Sequence, residues 1–306
     1  MNLQYLRYAL EISRTGSISK AAENLSVAQP NLSRAVKELE ATLGISIFER
    51  TRTGMTVTPE GEKLLSAGER ILRQVGELET MFNGENQPRE SLSVCAAPAA
   101  YLCHAFVSFC AALPEEGLYE SRFAEGDLST TLEAVTRGTS KLGIIRIPLH
   151  FEKYYTDRLT EKELKWETVL DFSPVFLVGS GSPLVGLETV SPSDLEGVSP
   201  ITSPETLPVD GSGVLHEGTH DFLRKEIIVT DRAAAYALLT TAPTLYLTAS
   251  PMPASQAAHY GLIQRPALGG VLYRDLLVYR KDYRLTATDE AFLRALKGTA
   301  RSLRDN

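Results

Sequence analysis

The stretch from Gln29 to Gly44 constrains the fold most, because it reads as a helix with two opposed faces. Gln29-Pro30 opens it, with proline in the first turn where its missing N–H costs little. Gly44 closes it. At ~100° per residue, Leu32, Val36, Leu39 and Leu43 line one side. Pro30, Arg34 and Lys37 lie opposite, with Ser33 at the edge. Such a helix must pack on one side and present cations on the other. Two shorter helices precede it. Leu3, Leu6 and Leu10, with Tyr5, Ala9 and Ile12, recur at helical spacing until Thr15-Gly16. Ser17 then caps a helix over 18–25. Residues 26–28 make a tight connection. After Gly44, residues 45–48 alternate as a strand, 49–54 form a turn carrying Arg50 and Arg52, and 55–57 return as a second strand. Three helices followed by a basic hairpin make a winged helix-turn-helix over residues 1–58.

Charge supports an anion-facing head. Residues 1–58 hold seven Lys/Arg against five Asp/Glu, whereas the whole chain of 306 residues carries −7. The acidic remainder excludes non-specific polyanion binding by the entire protein. At 43% hydrophobic and 23% charged residues, the chain reads as globular, not disordered. No apolar run approaches the ~20 residues of a membrane span. Arg7, Glu11 and Arg14 interrupt the N-terminus, which does not read as a signal peptide; the expected location is the cytoplasm.

Thr58-Pro59-Glu60 starts a helix that the pattern carries to about residue 82. Leu64, Gly68, Ile71, Val75, Leu78 and Phe82 alternate steps of four and three, a coiled-coil-like seam. A second subunit's helix is the economical cover for it. Residues 83–90 read as a linker. Beyond them strand-like and helix-like pieces alternate. Strands are expected at 92–96, 120–124, 142–147, 174–178, 226–229, 244–248 and 271–279. Helices are expected at 99–113, 128–137, 232–240 and 289–303, and residues 191–218 read mostly as loop. That alternation implies an α/β domain with parallel sheets.

The motif-bearing stretches YLRYALEISRTGSISKAAENL, LSVAQPNLSRAVKELEATLGISIFER and TRTGMTVTPEGEKLL closely resemble the N-terminal domain of LysR-type transcriptional regulators. The phrases LGIIRIP, FLVGSGSPL and DLLVYRKDYRLTATDEAFLRAL extend the likeness in order along the chain. The resemblance implies a winged helix-turn-helix (1–58), a long dimerisation linker helix and hinge (59–90), and a two-lobed Rossmann-like effector domain (91–306). That domain is similar to type II periplasmic binding proteins. Lobe I is expected at about 91–160 with 269–306, and lobe II at about 161–268. The resemblance also implies a dimer of dimers, a dyad-symmetric site on double-stranded DNA, a small-molecule effector, no cofactor and no enzymatic activity. RNA polymerase is a further partner it brings into view. One departure is Ala28, where the family usually has Ser or Thr; a missing N-cap costs ~1 kcal/mol.

Reading a major groove requires donors and acceptors on the first half of a helix. Gln29, Asn31, Ser33, Arg34 and Lys37 supply them. The resemblance places Gln29, Pro30, Ser33 and Arg34 at the groove. Ser17 and Ser19 at the second helix, and Arg50 and Arg52 in the wing, are candidates for phosphate or minor-groove contact. In the effector domain, ligands are expected outside the carboxyl ends of strands. That rule selects Ala97, Pro98, Ala99 and Ala100, whose N–H groups could hold a carboxylate. It also selects Arg146 with Ile147, and Thr202, Ser203 and Thr248 in the second lobe. Strand alternation gives Arg146 an outward-facing alternative. Tyr101, Tyr154 and Tyr155 read as packing residues.

Two other patterns are set aside. His216-Glu217-Gly218-Thr219-His220 matches the HExxH zinc motif, but that motif needs a helix, and Gly211, Gly213 and Gly218 argue against one. Cys95, Cys103 and Cys110 suit a reducing compartment. Seven helical residues would separate Cys103 and Cys110 by ~10.5 Å, too far for a disulfide, and all three read first as small buried side chains.

Overall fold

The computed structural model describes residues 2–51, 54–82, 90–207 and 227–304. The chain divides into two compact units, Met1–Arg89 and Glu90–Asn306.

The first unit contains α1 (Leu3–Thr15), α2 (Ile18–Asn24), α3 (Gln29–Leu43), β1 (Phe48–Thr51), β2 (Gly54–Val57) and α4 (Pro59–Phe82). Local chemistry sets the boundaries. Gly16 and Gly44 end α1 and α3 in the left-handed region, at φ 63° and 67°. Ser17 accepts the Lys20 N–H and caps α2. Ala28 precedes α3 with no side-chain cap. Leu6, Ala9, Ile12, Ala21, Leu32, Leu39 and Ile47 form the sealed centre of the core.

Two expectations change here. Leu43 is 38% exposed, because the last turn of α3 runs past the core; Ala35 joins the buried stripe instead. The first wing strand starts at Phe48, not at residue 45. Glu40 Oε1 accepts the N–H groups of Ile47 (2.7 Å) and Phe48 (3.3 Å), so a carboxylate holds the chain just before the ladder. The ladder itself runs from Phe48↔Val57 to Thr51↔Gly54.

The wing is tied to both neighbours. Met55 donates its N–H to the Gly16 carbonyl at 2.9 Å. Thr58 Oγ1 accepts from Gly61 N–H (2.9 Å) and donates to the Ser46 carbonyl (2.6 Å), capping α4 against the segment before the wing. A Cβ on Gly61 would lie 2.3 Å from the Ile47 carbonyl oxygen. The early part of the α4 seam packs on its own unit. Leu65 is buried, Leu64 and Leu72 border the core, and Gly68 lies against Leu6. Ile71 and Val75 are half-buried, and the side chains of Leu78 and Phe82 lie outside the described residues.

The second unit contains β3 (Glu90–Ala96), α5 (Ala100–Ala111), β4 (Tyr119–Glu125), α6 (Leu128–Arg137), β5 (Leu142–Pro148), α7 (Glu152–Glu161), β6 (Leu164–Phe172), β7 (Val175–Gly179) and β8 (Ser199–Thr202). It continues with β9 (Ile227–Ile228), α8 (Arg232–Thr241), β10 (Leu245–Ala249), α9 (Ala254–His259), β11 (Leu262–Pro266), β12 (Tyr273–Arg280) and α10 (Ala287–Arg304). Two five-stranded sheets result, ordered β4-β3-β5-β12-β6 and β11-β7-β10-β8-β9.

Both sheets are mixed, not parallel throughout. β3 pairs in parallel with β4 and β5, but β12 runs antiparallel to β5 and β6. In the second sheet β10, β8 and β9 are parallel, and β7 is antiparallel to β10 and β11. β6 is an edge strand of the first sheet, so the chain crosses between lobes after Phe172, later than the expected residue 161. It returns between Pro266 and Tyr273. Strand β8 also lies inside the stretch read as loop.

The tight backbone approach at Gly61 yields a test. Gly61→Ala is expected to destabilise the first unit by about 1–3 kcal/mol through overpacking. The sole tryptophan, Trp166, lies in β6 of the second unit. Helical circular dichroism should therefore reveal an earlier partial melt while the Trp166 fluorescence transition stays in place.

Candidate nucleic-acid interface and interlobe cleft

The polar side of α3 is open. Gln29, Pro30, Asn31, Arg34 and Lys37 are exposed, and Ser33 is half-buried. Among the described residues, no ion pair involves Arg34, Lys37 or the exposed Arg50. The nearby acids do not neutralise this side: Glu40 turns inward to the wing segment, and Glu38 accepts from Tyr5 Oη. Buried Leu32, Ala35, Val36 and Leu39 fix the helix from behind. The result is a rigid ridge whose guanidinium, ammonium and amide groups are free to meet an outside partner. Ser17 is occupied as a cap, Ser19 is exposed, and Arg52 lies outside the described residues.

The second cluster of candidates lies where the strand ends of the two lobes meet. Ala100, at the start of α5, packs into the core of the second lobe with Met252 and Ala257. Gln256 Nε2 donates across the lobes to the Ala100 carbonyl at 3.2 Å. Ala97, Ala99 and Ala100 are buried and Pro98 is half-buried, so this loop is covered. α5 has no side-chain cap. Among the described residues no acceptor meets the N–H groups of Ala100, Tyr101 and Leu102; the first paired N–H is that of Cys103, bonded to the Ala99 carbonyl. A buried helix start without partners is unusual.

Arg146 faces this region but is not a free cation. Its Nε and Nη2 bind Asp275 Oδ1 and Oδ2 at 2.8 and 2.7 Å, and Nη1 donates to the Pro98 carbonyl at 3.3 Å. The guanidinium carbon lies 4.8 Å from the Phe172 ring centroid. Tyr101 Oη donates to Asp275 Oδ2 at 2.5 Å. Burial works against the Arg146 charge, yet the Asp275 carboxylate more than offsets it and holds the guanidinium protonated. Burial, reinforced by Asp275, pushes the Tyr101 phenol well up, so it remains a donor.

The facing lobe contributes a second network. Arg232 Nε binds Glu205 Oε1 and its Nη2 binds Glu125 Oε1, both at 2.5 Å. Tyr236 Oη donates to Glu205 Oε2 at 2.9 Å. Burial pushes the Glu205 carboxyl up, opposed by Arg232 and Tyr236. Ser203 organises the turn that aims Glu205 inward: its Oγ accepts the Glu205 N–H, and its own N–H donates to Thr206 Oγ1.

Other candidates fall differently. Ile147 is fully buried with Val135, Leu159 and Leu276, on the face opposite Arg146, so it is turned away from the cleft. Thr248 is buried and its hydroxyl is committed to the Leu207 carbonyl at 2.8 Å. Thr202 is half-buried beside it in β8. Tyr154 is exposed and meets Tyr155 edge-on at 5.1 Å, away from either network. His216, Glu217 and His220 lie outside the described residues, among which no cluster of metal-ligating side chains occurs.

Glu125, Glu205, Arg232, Tyr236, Gln256 and Asp275 were not singled out by sequence reasoning. One signal was available: Asp275 directly precedes the apolar run LLVY of β12, and the structure buries it completely. The cysteines are quiet. Cys95 is buried with its Sγ 3.4 Å from Thr131 Oγ1, and burial pushes the Cys103 and Cys110 thiols up.

A winged helix with an open cationic ridge is joined in one chain to a two-lobed α/β domain. Residues 3–62 match the model of the bacterial regulatory helix-turn-helix protein, lysR family. The match to that family is thus established for the N-terminal head, residues 3–62. It is 31% identical over 166 residues to the uncharacterised HTH-type transcriptional regulator YcgK of Bacillus subtilis, covering 53% of this chain and 50% of that one. It is also 31% identical over 156 residues to the HTH-type transcriptional regulator YofA of Bacillus velezensis, covering 50% and 53%. The chain thus spans about half the length of the curated relatives it matches. The solved structure of CbnR, a LysR family transcriptional regulator, shares the fold with a TM-score of 0.57 at 20% identity, over 98% of this chain and 99% of that one.

Two measurements check the cleft chemistry. Asp275→Asn leaves Arg146 buried without its counter-charge, and breaking such a pair typically costs about 3–5 kcal/mol; the Trp166 fluorescence transition in urea should shift accordingly. Because its thiol is raised, Cys103 should alkylate more slowly at pH 8 than an unperturbed cysteine, with its rate climbing only as pH rises past the ordinary thiol range.

Proposed function

We propose that the chain is a sequence-specific DNA-binding transcription regulator controlled by a small-molecule effector between its two α/β lobes. The observation that carries this reading is the α3 ridge: Gln29, Asn31, Arg34 and Lys37 are exposed and free of ion pairs, on a helix held rigid by its buried side. Arg34 suits bidentate contact with guanine, and Gln29 or Asn31 with adenine. Lys37, Ser19, Arg50 and Arg52 suit phosphate or minor-groove contact. Ser17 acts as the cap that sets α2.

A single head with so few cations binds weakly, since affinity follows phosphate neutralisation. Pairing through the later part of α4 supplies two heads and calls for a dyad-symmetric operator; a dimer of dimers extends this. The work is done in the cytoplasm, with RNA polymerase as a further partner. No helix among the described residues is long and apolar enough to cross a membrane. We assign no reaction to the chain.

For the effector, the start of α5 is the best-supported contact: the N–H groups of the buried Ala100, Tyr101 and Leu102 meet no acceptor among the described residues. Pro98, Thr202 and Ser203 border the same cleft. With Arg146 neutralised by Asp275, recognition rests on hydrogen bonding to backbone, not on an open cation.

The test is binding of the purified chain to its own upstream DNA across a salt series, wild type against Arg34→Ala. The expected result is tight, salt-sensitive binding to one site, with Arg34→Ala losing about 1–3 kcal/mol of discrimination there. Equal weak binding of both proteins to any DNA would remove the regulator reading.

A further inference from the structure

The two lobes are joined by more than the chain crossings. Arg232 opens α8 in the second lobe, and its guanidinium has two carboxylate partners. Glu205, of its own lobe, binds Nε; Glu125, at the end of β4 in the first lobe, binds Nη2. Glu205 is 3% exposed and its second oxygen is held by Tyr236, so this side of the bridge is fixed. The Glu125 side chain is 30% exposed at the rim, so that side is the one that can release. The bridge spans 107 residues of sequence and serves neither lobe's core. Arg232, Glu125 and Glu205 lie close enough to Cys103, in the first turn of α5, to act on its thiol; at the start of that helix Gln256 reaches the Ala100 carbonyl, Ala100 sits in the second lobe's core, and the first N–H groups meet no acceptor among the described residues.

We infer that Arg232 is an interlobe latch, with Glu205 as its anchor and Glu125 as its release point, which holds the cleft shut over the start of α5 when no effector is bound. Its strength suits the task. A partly exposed ion pair is weak by itself and stronger where several charges form a network, as Glu125, Arg232 and Glu205 do. That is enough to bias two lobe arrangements and small enough for a ligand with differential affinity to reverse. A ligand that binds the backbone N–H groups at the start of α5 better when the lobes part works against the Glu125–Arg232 contact, so binding and release of the latch are linked. The latch holds whether or not the DNA reading is right, because it concerns lobe closure alone.

Hydrogen–deuterium exchange of the full chain tests it without any ligand. The N–H groups of Ala100, Tyr101 and Leu102 meet no hydrogen-bond acceptor among the described residues, so their protection reports closure. Glu125→Gln keeps the shape and removes the charge; Glu125→Ala removes both. Exchange at residues 100–102 is expected to rise by about tenfold in Glu125→Ala and by less in Glu125→Gln, as the opening free energy falls. Strands β5 and β10, in the centres of the two sheets, should keep wild-type rates. Glu133→Gln, which alters a surface pair with Arg137 inside the first lobe, should change nothing at 100–102. Unchanged exchange at 100–102 in both Glu125 variants overturns the latch. So does an equal rise in β5 and β10, which would mark Glu125 as a general stabiliser.

Discussion

The buried pair between Arg146 and Asp275 is the interaction on which the two-lobed α/β unit depends. Two groups that are costly to dehydrate separately are placed opposite each other on neighbouring strands, β5 and β12, in the register Asp275↔Arg146. A chain return from the distant C-terminal region is thereby locked to the middle of the first sheet. Tyr101 and the Pro98 carbonyl close the remaining valences, so the same pair also fixes the loop leading into α5. Removing one partner strands the other in a place water does not reach. An apolar pair could fill the volume but could not set the loop.

The two units handle charge in opposite ways. In the second unit the guanidiniums of Arg146 and Arg232 are paired internally, while the N–H groups of Ala100, Tyr101 and Leu102 and the Gln256 Oε1 meet no partner among the described residues. In the head Arg34 and Arg50 are exposed and two carboxylates are diverted, Glu40 to the wing segment and Glu38 to Tyr5. An outward cation gains little from its own protein and much from a phosphate or a base edge. An inward cation does the reverse, fixing geometry at the expense of availability.

Much of this architecture was legible before the fold was known, for identifiable reasons. The head is short and its contacts are local, so caps and apolar spacing fix α1 to α4 nearly to the residue; Gly16, Ser17, Gly44 and Pro59 each mark a boundary. What local pattern could not carry was long-range pairing. β6 and β12 are antiparallel partners separated by about a hundred residues, and nothing in LKWETVLDF states which sheet it joins. α7 escaped notice because Leu159 is its one buried side chain. The cleft was legible only as a location. The strand-end rule found Ala97 to Ala100 and Arg146, but not that Asp275 neutralises the arginine or that Arg232 reaches Glu125 across 107 residues. Ion pairing of that kind is written in three dimensions and leaves no spacing in the chain.

The contact between Gly16 and Gly54 carries a consequence for how such a head can vary. A Cβ on Gly54, at φ 137°, would lie 2.7 Å from the Gly16 carbonyl oxygen. The hinge before α2 and the tip of the wing are thus a single mechanical part, although they touch different regions of any bound duplex. Lineages that retune base preference can change the side chains on α3 freely, because those project into solvent. They cannot shift the wing independently, because its tip is seated on the turn that orients α2. Specificity in this scaffold is free to drift along one helix and is geared, everywhere else, to a pair of glycines.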